Sequence, residues 1–353
     1  MDPITYVYSI PALSSSISQP LVPEKALLAI LPITAFWIAS LGFHICDKHE
    51  YFSKYRLHTP EEFLRRNIVP KREAIKNVLI QQSIQIMLVY VVTHFEPDEA
   101  AQNTDVDILI WIIRIQRLQT YIPSVSSMVG IDAYALSIKL RPSLASRTKA
   151  LWPKAISATA WSGSESKFAG WELHVAKLLV NVAVPAFQYA IAVFAFDSWQ
   201  FLVHYTMHKN KWLYRNMHSR HHRLYVPYAF GAQYSHPGEA FINDHIGSAF
   251  TFKIARLSTR QAAYFFTVAM LKSVDDHCGY RLPWDPFTLL TDNNSAYHDI
   301  HHQTWGMKSN FSQPFTSFWD RICGTRWTDT STAKNHEHRQ AGIEVTEDDK
   351  KDT

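Results

Sequence analysis

The sequence predicts an all-α, multi-span membrane protein with a cytosolic helical cap that carries a histidine-rich site. Three observations predict it. Apolar stretches of membrane-crossing length alternate with charged segments; strand signals are weak; and of 18 histidines in 353 residues, 11 fall between His204 and His302. Composition removes other classes. With 35 Lys+Arg against 31 Asp+Glu the net charge is +4, too little for the broad basic surface of a nucleic-acid binder. At 13% aromatic and 19% charged residues the chain has ample apolar surface to bury, which excludes low-complexity disorder. Cys46, Cys278 and Cys323 form no CxxC pair, so neither a disulfide framework nor a zinc ribbon is available.

The elements follow in order. Residues 1–20 read as a polar, Ser-rich tail without the basic n-region of a signal peptide. Residues 21–130 read as a membrane-spanning region. Its first segment, Ala26 to Cys46, has 21 residues without an acidic or basic side chain, enough to cross a bilayer core of ~30 Å. Pro32 would kink this helix, and would equally kink a buried helix of a soluble protein. Eight Lys/Arg lie between Lys48 and Lys76, which the positive-inside rule places in the cytosol; a second apolar stretch follows from about Val78 to Phe95. Glu96 to Asp107 carries five acids and no base, in keeping with the lumenal side. Residues 131–170 read as a connector or insertion, and residues 171–330 as the histidine-bearing domain. Within that domain Leu173 to Phe196 is a third span, and Ala240 to Ile254 with Gln261 to Leu271 forms a short or re-entrant helical hairpin. Residues 331–353 form a cytosolic tail.

Three histidine clusters occur: His204-Tyr-Thr-Met-His208, His218-Ser-Arg-His221-His222 and His298-Asp-Ile-His301-His302. On a helix, positions i, i+3 and i+4 share a face, so each cluster is expected to aim its imidazoles at a common point, as a metal requires. Imidazole suits Zn, Cu and Fe alike, so donor type leaves the metal open. Eight imidazoles are too many for one tetrahedral zinc, and two metals is the economical reading. HExxH is absent, which argues against a zinc protease, and so is the PCxxC of zinc deaminases.

HYTMH, HSRHH and HDIHH resemble the three boxes of the membrane fatty acid hydroxylase/sterol desaturase superfamily, whose members use a histidine-bound di-iron centre with O2. The stretches HSRHHRLYVPYAFGAQYSHPGEAF, KSVDDHCGYRLPWDPF and NNSAYHDIHHQTWGMKSNFSQPFTSFWD are similar to the fungal sphingolipid C4-hydroxylases, or sphinganine C4-monooxygenases. The resemblance is strong from Asp197 to about Trp327. It implies that His204, His208, His218, His221, His222, His298, His301 and His302 bind two irons, with His277 as a further ligand. Some relatives place another histidine where this chain has Ser273. His236 is the candidate for that vacant place, the alternative being a hydrogen bond to Glu239 and its loop. Asp275, Asp276 and Asp299 are candidate acceptors for the free ring N–H of ligand histidines, or else caps and surface acids. His44, His49, His58, His94 and His174 are isolated and read as packing or solvated residues. The HPGE string at His236 departs from the HPGG of cytochrome b5, so no fused haem domain is expected.

The resemblance further implies hydroxylation at C4 of a sphingoid base or dihydroceramide. An alkyl C–H offers no proton to a side-chain base, so the chemistry belongs to the irons and O2. No flavin, haem or dinucleotide fingerprint is present, and relatives take electrons from cytochrome b5 and its reductase. The ending Lys350-Lys351-Asp352-Thr353 is similar to the dilysine retrieval signal of endoplasmic reticulum membrane proteins, the alternative being a solvated charged tail. Other outcomes of the same site are desaturation, sterol-methyl oxidation, or metal binding without catalysis.

Overall fold

A computed structural model describes residues 22–95, 104–131 and 169–328. The expected N-terminal tail, almost all of the 131–170 connector, and the dilysine ending lie outside these residues. The described chain is mostly helical and contains no strand, apart from an isolated bridge between Arg56 and Tyr280.

Among the described residues, three helices are long and apolar enough to cross a membrane. Helix α1, Glu24–Lys48, covers the first expected span, with Glu24 in its first turn and Lys48 in its last, each on the favourable side of the helix dipole. A short helix α2, Pro60–Arg66, follows. It starts on a capping box in which Thr59 Oγ1 accepts from Glu62 N (3.2 Å) and Glu62 accepts from Thr59 N (3.2 Å). Helix α3, Lys71–Phe95, begins about two turns earlier than the apolar stretch alone indicates. Ile38, Leu41 and Ile45 on α1 and Ile86, Met87 and Val92 on α3 are exposed, as lipid-facing side chains are. The third apolar run, Gly170–Lys209, is 40 residues long and would measure ~60 Å, twice the hydrocarbon core.

The chain packs as two units. One comprises residues 1–19 and 98–187. Its described part holds α4 (Thr104–Gln119), α5 (Ile122–Met128), α6 (Gly170–Leu178) and a π-helical turn, Leu179–Ala183. Ile108 and Ile112 of α4 meet Ala176 of α6, and buried Glu172 accepts from Ala169 N (2.7 Å), Gln116 (3.1 Å) and Gln119 (3.2 Å).

The other unit comprises residues 20–97 and 188–353, so it joins the first two spans to every histidine cluster. Most of helix α7, Val184–Lys209, belongs to it, with α8 (Lys211–Asn216), α9 (Pro237–Ala240), α10 (Gly247–Ala255), α11 (Thr259–Asp276), α12 (Pro286–Leu290), α13 (Ser295–His302) and α14 (Phe318–Cys323). Helix α11 starts on a second capping box, Ser258 with Gln261, and packs along α1. Between α9 and α10 the backbone widens into a π-helix, Phe241–Ile246, and α10 ends where Arg256 takes the left-handed conformation at φ 51°. The core joins Phe36 of α1, Ala74 and Val78 of α3 and Val274 of α11 to Leu224, Tyr228, Phe230 and Tyr234 of the loop after the second histidine cluster. That loop is therefore fixed by packing against helices far from it in sequence.

Candidate metal centre

Each histidine segment is positioned by a local device. His204 and His208 occupy the last turns of α7. Asn210 then caps α8, its Oδ1 accepting from Trp212 N (2.9 Å) and Leu213 N (3.1 Å), which starts a new helix and returns the chain toward the first cluster. The second cluster lies on a 3₁₀-helix, His218–Arg223, not on the expected α-helix. His277 is the C-terminal cap of α11. The third cluster is helical, with Asn294 as N-cap of α13, accepting from Tyr297 N (3.2 Å). After it, a Cβ on Gly306 would lie 2.0 Å from the Ile300 carbonyl oxygen, so only glycine lets the chain leave α13 so closely.

Nine imidazoles converge in two groups, His204, His208, His218, His222 and His301 in one and His221, His277, His298 and His302 in the other. Within each group the ligand atoms lie within 4.8 Å of one another. The expectation that each cluster serves one point is corrected. Residues four apart stay together, but the middle histidine of each HxxHH crosses over: His221 leaves the group of His218 and His222, and His301 leaves that of His298 and His302. On the α-helix α13, His302 (i+4) is turned about 40° from His298 and His301 (i+3) about 60° the other way; on the 3₁₀ turn i and i+3 would eclipse, so helical periodicity does not account for the parting of His221 from His218.

The ring chemistry is that of a cation site. His204 Nδ1–H donates to the Phe311 carbonyl (2.8 Å), His221 to Tyr234 (3.0 Å), His277 to Ser273 (2.9 Å), His301 to Ser309 (2.7 Å) and His302 to Leu224 (2.9 Å). His218 Nδ1–H donates to Glu239 Oε1 (2.6 Å). A carbonyl can only accept, so these bonds fix the tautomer and leave each Nε2 a bare lone pair. Nε2 faces Nε2 at 3.1 Å for His204 and His218, and at 3.3 Å for His221 and His277. The His208–His222, His218–His222, His277–His298 and His298–His302 pairs lie at 3.0 to 3.1 Å. Lone pair facing lone pair is repulsive without a cation between them. With metal–nitrogen bonds of ~2.1 Å, neighbouring ligands sit ~3.0 Å apart at right angles and ~3.4 Å apart in a tetrahedron, the range seen here. Nε2 of His301 is buried with no partner, as an atom reserved for a ligand would be. Burial holds His218 and His277 down to about 3, and burial together with neighbouring imidazoles holds His222, His298, His301 and His302 well below the usual range. Neutral donors are what a metal needs.

Not every expected residue comes to the site. His236 belongs to neither group; it caps α9, with Nδ1 accepting from Gly238 N (3.1 Å). The three aspartates take no ligand ring among the described contacts; five of the rings donate Nδ1–H to backbone carbonyls instead, and His218 to Glu239. Asp276 pairs with buried Lys272, Asp275 lies 4.0 Å from Cys278 Sγ, and Asp299 accepts from His58 (2.8 Å) and Gln303 (3.3 Å). Two residues were missed. Glu239, whose carboxyl burial pushes up to about 7, is the only side chain among the described residues seen holding a ligand ring through its Nδ1–H. His58, read as isolated, is buried between Asp299 and Glu62. No sequence signal marks His58, 241 positions from its partner; Glu239 carried one, its place one residue beyond His-Pro-Gly.

Residues 189–325 match the fatty acid hydroxylase family. The sphingolipid C4-hydroxylase of Schizosaccharomyces pombe is 38% identical over 84% of this chain and 86% of its own. Sphinganine C4-monooxygenase 2 of Arabidopsis thaliana is 34% identical over 86% of this chain and 88% of its own. A protein of Oryza sativa named a very-long-chain aldehyde decarbonylase is 32% identical over 86% of this chain and 89% of its own. No solved structure matches.

Proposed function

The chain belongs to the fatty acid hydroxylase family, and on that premise we propose that it is a membrane-bound oxygenase that hydroxylates C4 of a sphingoid long-chain base, giving a phytosphingosine-type product. The two groups of buried imidazoles, five and four, carry this reading. Two irons bound there, with O2 and two electrons, supply the oxidising power against an alkyl C–H that no side chain possesses.

The chain's own residues do the rest. His204, His208, His218, His222 and His301 would hold one metal, and His221, His277, His298 and His302 the other. Glu239 and the carbonyls of Phe311, Tyr234, Ser273, Ser309 and Leu224 keep the Nε2 atoms turned inward, which fixes the site before substrate arrives. Burial of all the rings but His208 below one-tenth exposure excludes bulk water. Three apolar helices deliver the lipid tail from the bilayer. The basic segment between Lys48 and Lys76 supports a cytosolic placement of the cap, where cytochrome b5 and its reductase would deliver electrons; the dilysine ending supports residence in the endoplasmic reticulum.

Lipid mass spectrometry of cells lacking 4-hydroxylated bases, with and without this chain, tests the reading: 4-hydroxylated bases should return. The rice relative favours a second outcome on the same site, loss of a terminal carbon from a long-chain aldehyde. Appearance of shortened hydrocarbon with no 4-hydroxylated base would establish that alternative.

A further inference from the structure

A cavity of about 150 Å³ adjoins His218, His221 and His277. Phe196 and Met270 give it an apolar part, but Gln81, Gln200, Glu239, Asn243 and Asp244 also line it, which is an unusual wall for a slot that takes only hydrocarbon. Besides His245 Nε2, three acceptor atoms of the wall lack a partner. Gln81 Oε1, Glu239 Oε2 and Asn243 Oδ1 are buried without a hydrogen-bond partner. Their residues are 4%, 7% and 9% exposed, so bulk water does not satisfy them. Asp244 is exposed, and no Lys or Arg pairs with it among the described residues; its carboxylate meets only neutral amides, Asn243 Nδ2 at 3.3 Å and the Gln200 side chain.

Asn243 and Asp244 are held in the wall by a distorted backbone. They lie in the π-helix Phe241–Ile246, a distortion that frees carbonyls from the regular ladder. Trp199 Nε1–H donates to the Ile242 carbonyl (3.0 Å) and Gln200 Nε2 to the Asn243 carbonyl (3.1 Å), so α7 satisfies them. A Cβ on Gly247 would come 2.6 Å from Trp199, so glycine permits this close approach. The segment is thus braced against the same helix that carries His204 and His208.

Resting on the C4-hydroxylase reading, we propose that this wall is the head-group site and that Asp244 selects the free, protonated long-chain base over its N-acyl form. The head of a long-chain base is a 2-amino-1,3-diol, two O–H groups and an ammonium on three adjacent carbons, and C4 is the next carbon along. A site that presents C4 to the histidines must hold those donors beside them, and unpartnered acceptors in a cavity bounded by His218, His221 and His277 meet that need. An ammonium brings a full charge and up to three N–H donors to Asp244; an amide brings one N–H and no charge.

The test uses the full-length protein in microsomes with three substrates: sphinganine, N-methylsphinganine, which keeps the cation, and N-acetylsphinganine, which removes it with little added bulk. The wild type should use the first two comparably and the third with kcat/KM lower by at least about 10-fold, mostly through KM. Asp244→Asn should bring the ratio of free base to N-acetyl base to about 1, and Asp244→Glu should retain a preference for the cation. Equal use of all three by the wild type, or an unchanged ratio in Asp244→Asn, overturns the selection while leaving C4 hydroxylation standing. Absence of any 4-hydroxylated product from the wild type overturns both. If Asp244→Asn fails to accumulate, the three substrates on the wild type decide alone.

Discussion

At the scale of single residues the site depends on which ring atom is free. Six of the nine rings have Nδ1 committed to an acceptor, so losing one ring removes a donor that no neighbour replaces. His221→Ala, His222→Ala, His301→Ala and His302→Ala are each expected to lower turnover by more than ~100-fold, with bound metal reduced and the protein still in the membrane. Metal analysis and product mass spectrometry on the purified variants check this. His94→Ala, at the end of α3, and His236→Ala, at a cap outside both groups, should keep wild-type metal content. Glu239→Gln keeps an acceptor for His218 and should cost less than Glu239→Ala. The spacing of the clusters made the nine rings legible in the sequence. Their partition was not, because the crossing of His221 and His301 depends on how the 3₁₀ turn and α13 face each other, and the Nδ1 acceptors are mostly backbone carbonyls, which have no residue type.

Among elements, a clasp holds α2 against α13. His58 lies between Asp299 and Glu62, while Arg66 Nη2 donates to Gln303 Oε1 (2.5 Å) and approaches Glu62 Oε1 (3.6 Å). Burial alone would lower the His58 pKa, but the two carboxylates outweigh it and raise the group to about 9. A raised histidine stabilises fully below its unfolded value of ~6.5, and that contribution disappears as pH rises through about 9. The melting temperature of the detergent-solubilised protein should therefore fall between pH 6.5 and 9, and His58→Gln should flatten that slope. A variant as pH-sensitive as the wild type would refute the assignment. The long apolar helices were legible from composition. The 3₁₀ turn and the π-helix were not, because each answers to packing from elsewhere: Leu224 and Tyr234 on the spans, Trp199 on Gly247.

For the whole molecule, Pro32 of α1 and Gln81 and Gln85 of α3 line the cavity beside the histidines, so the first two apolar helices border the site. If the head group is the fixed point, removing methylenes from the tail should leave the new hydroxyl at C4 and weaken binding by about 0.8 kcal/mol per lost CH2. Feeding long-chain bases of graded length and locating the hydroxyl by fragmentation mass spectrometry checks this. A hydroxyl that moves with the methyl end would mean that the tail, not the head, sets the register.

If the two imidazole groups each take a metal, the crossing of His221 and His301 ties their fates. Each HxxHH segment belongs to both, so a metal arriving at one group also draws into place the backbone that carries donors of the other. Loading should then be cooperative, with little singly occupied protein at intermediate supply. Stepwise chelation followed by native mass spectrometry should show the fully loaded and empty forms exchanging directly. A dominant half-loaded species would mean that the two positions fill independently despite their shared segments.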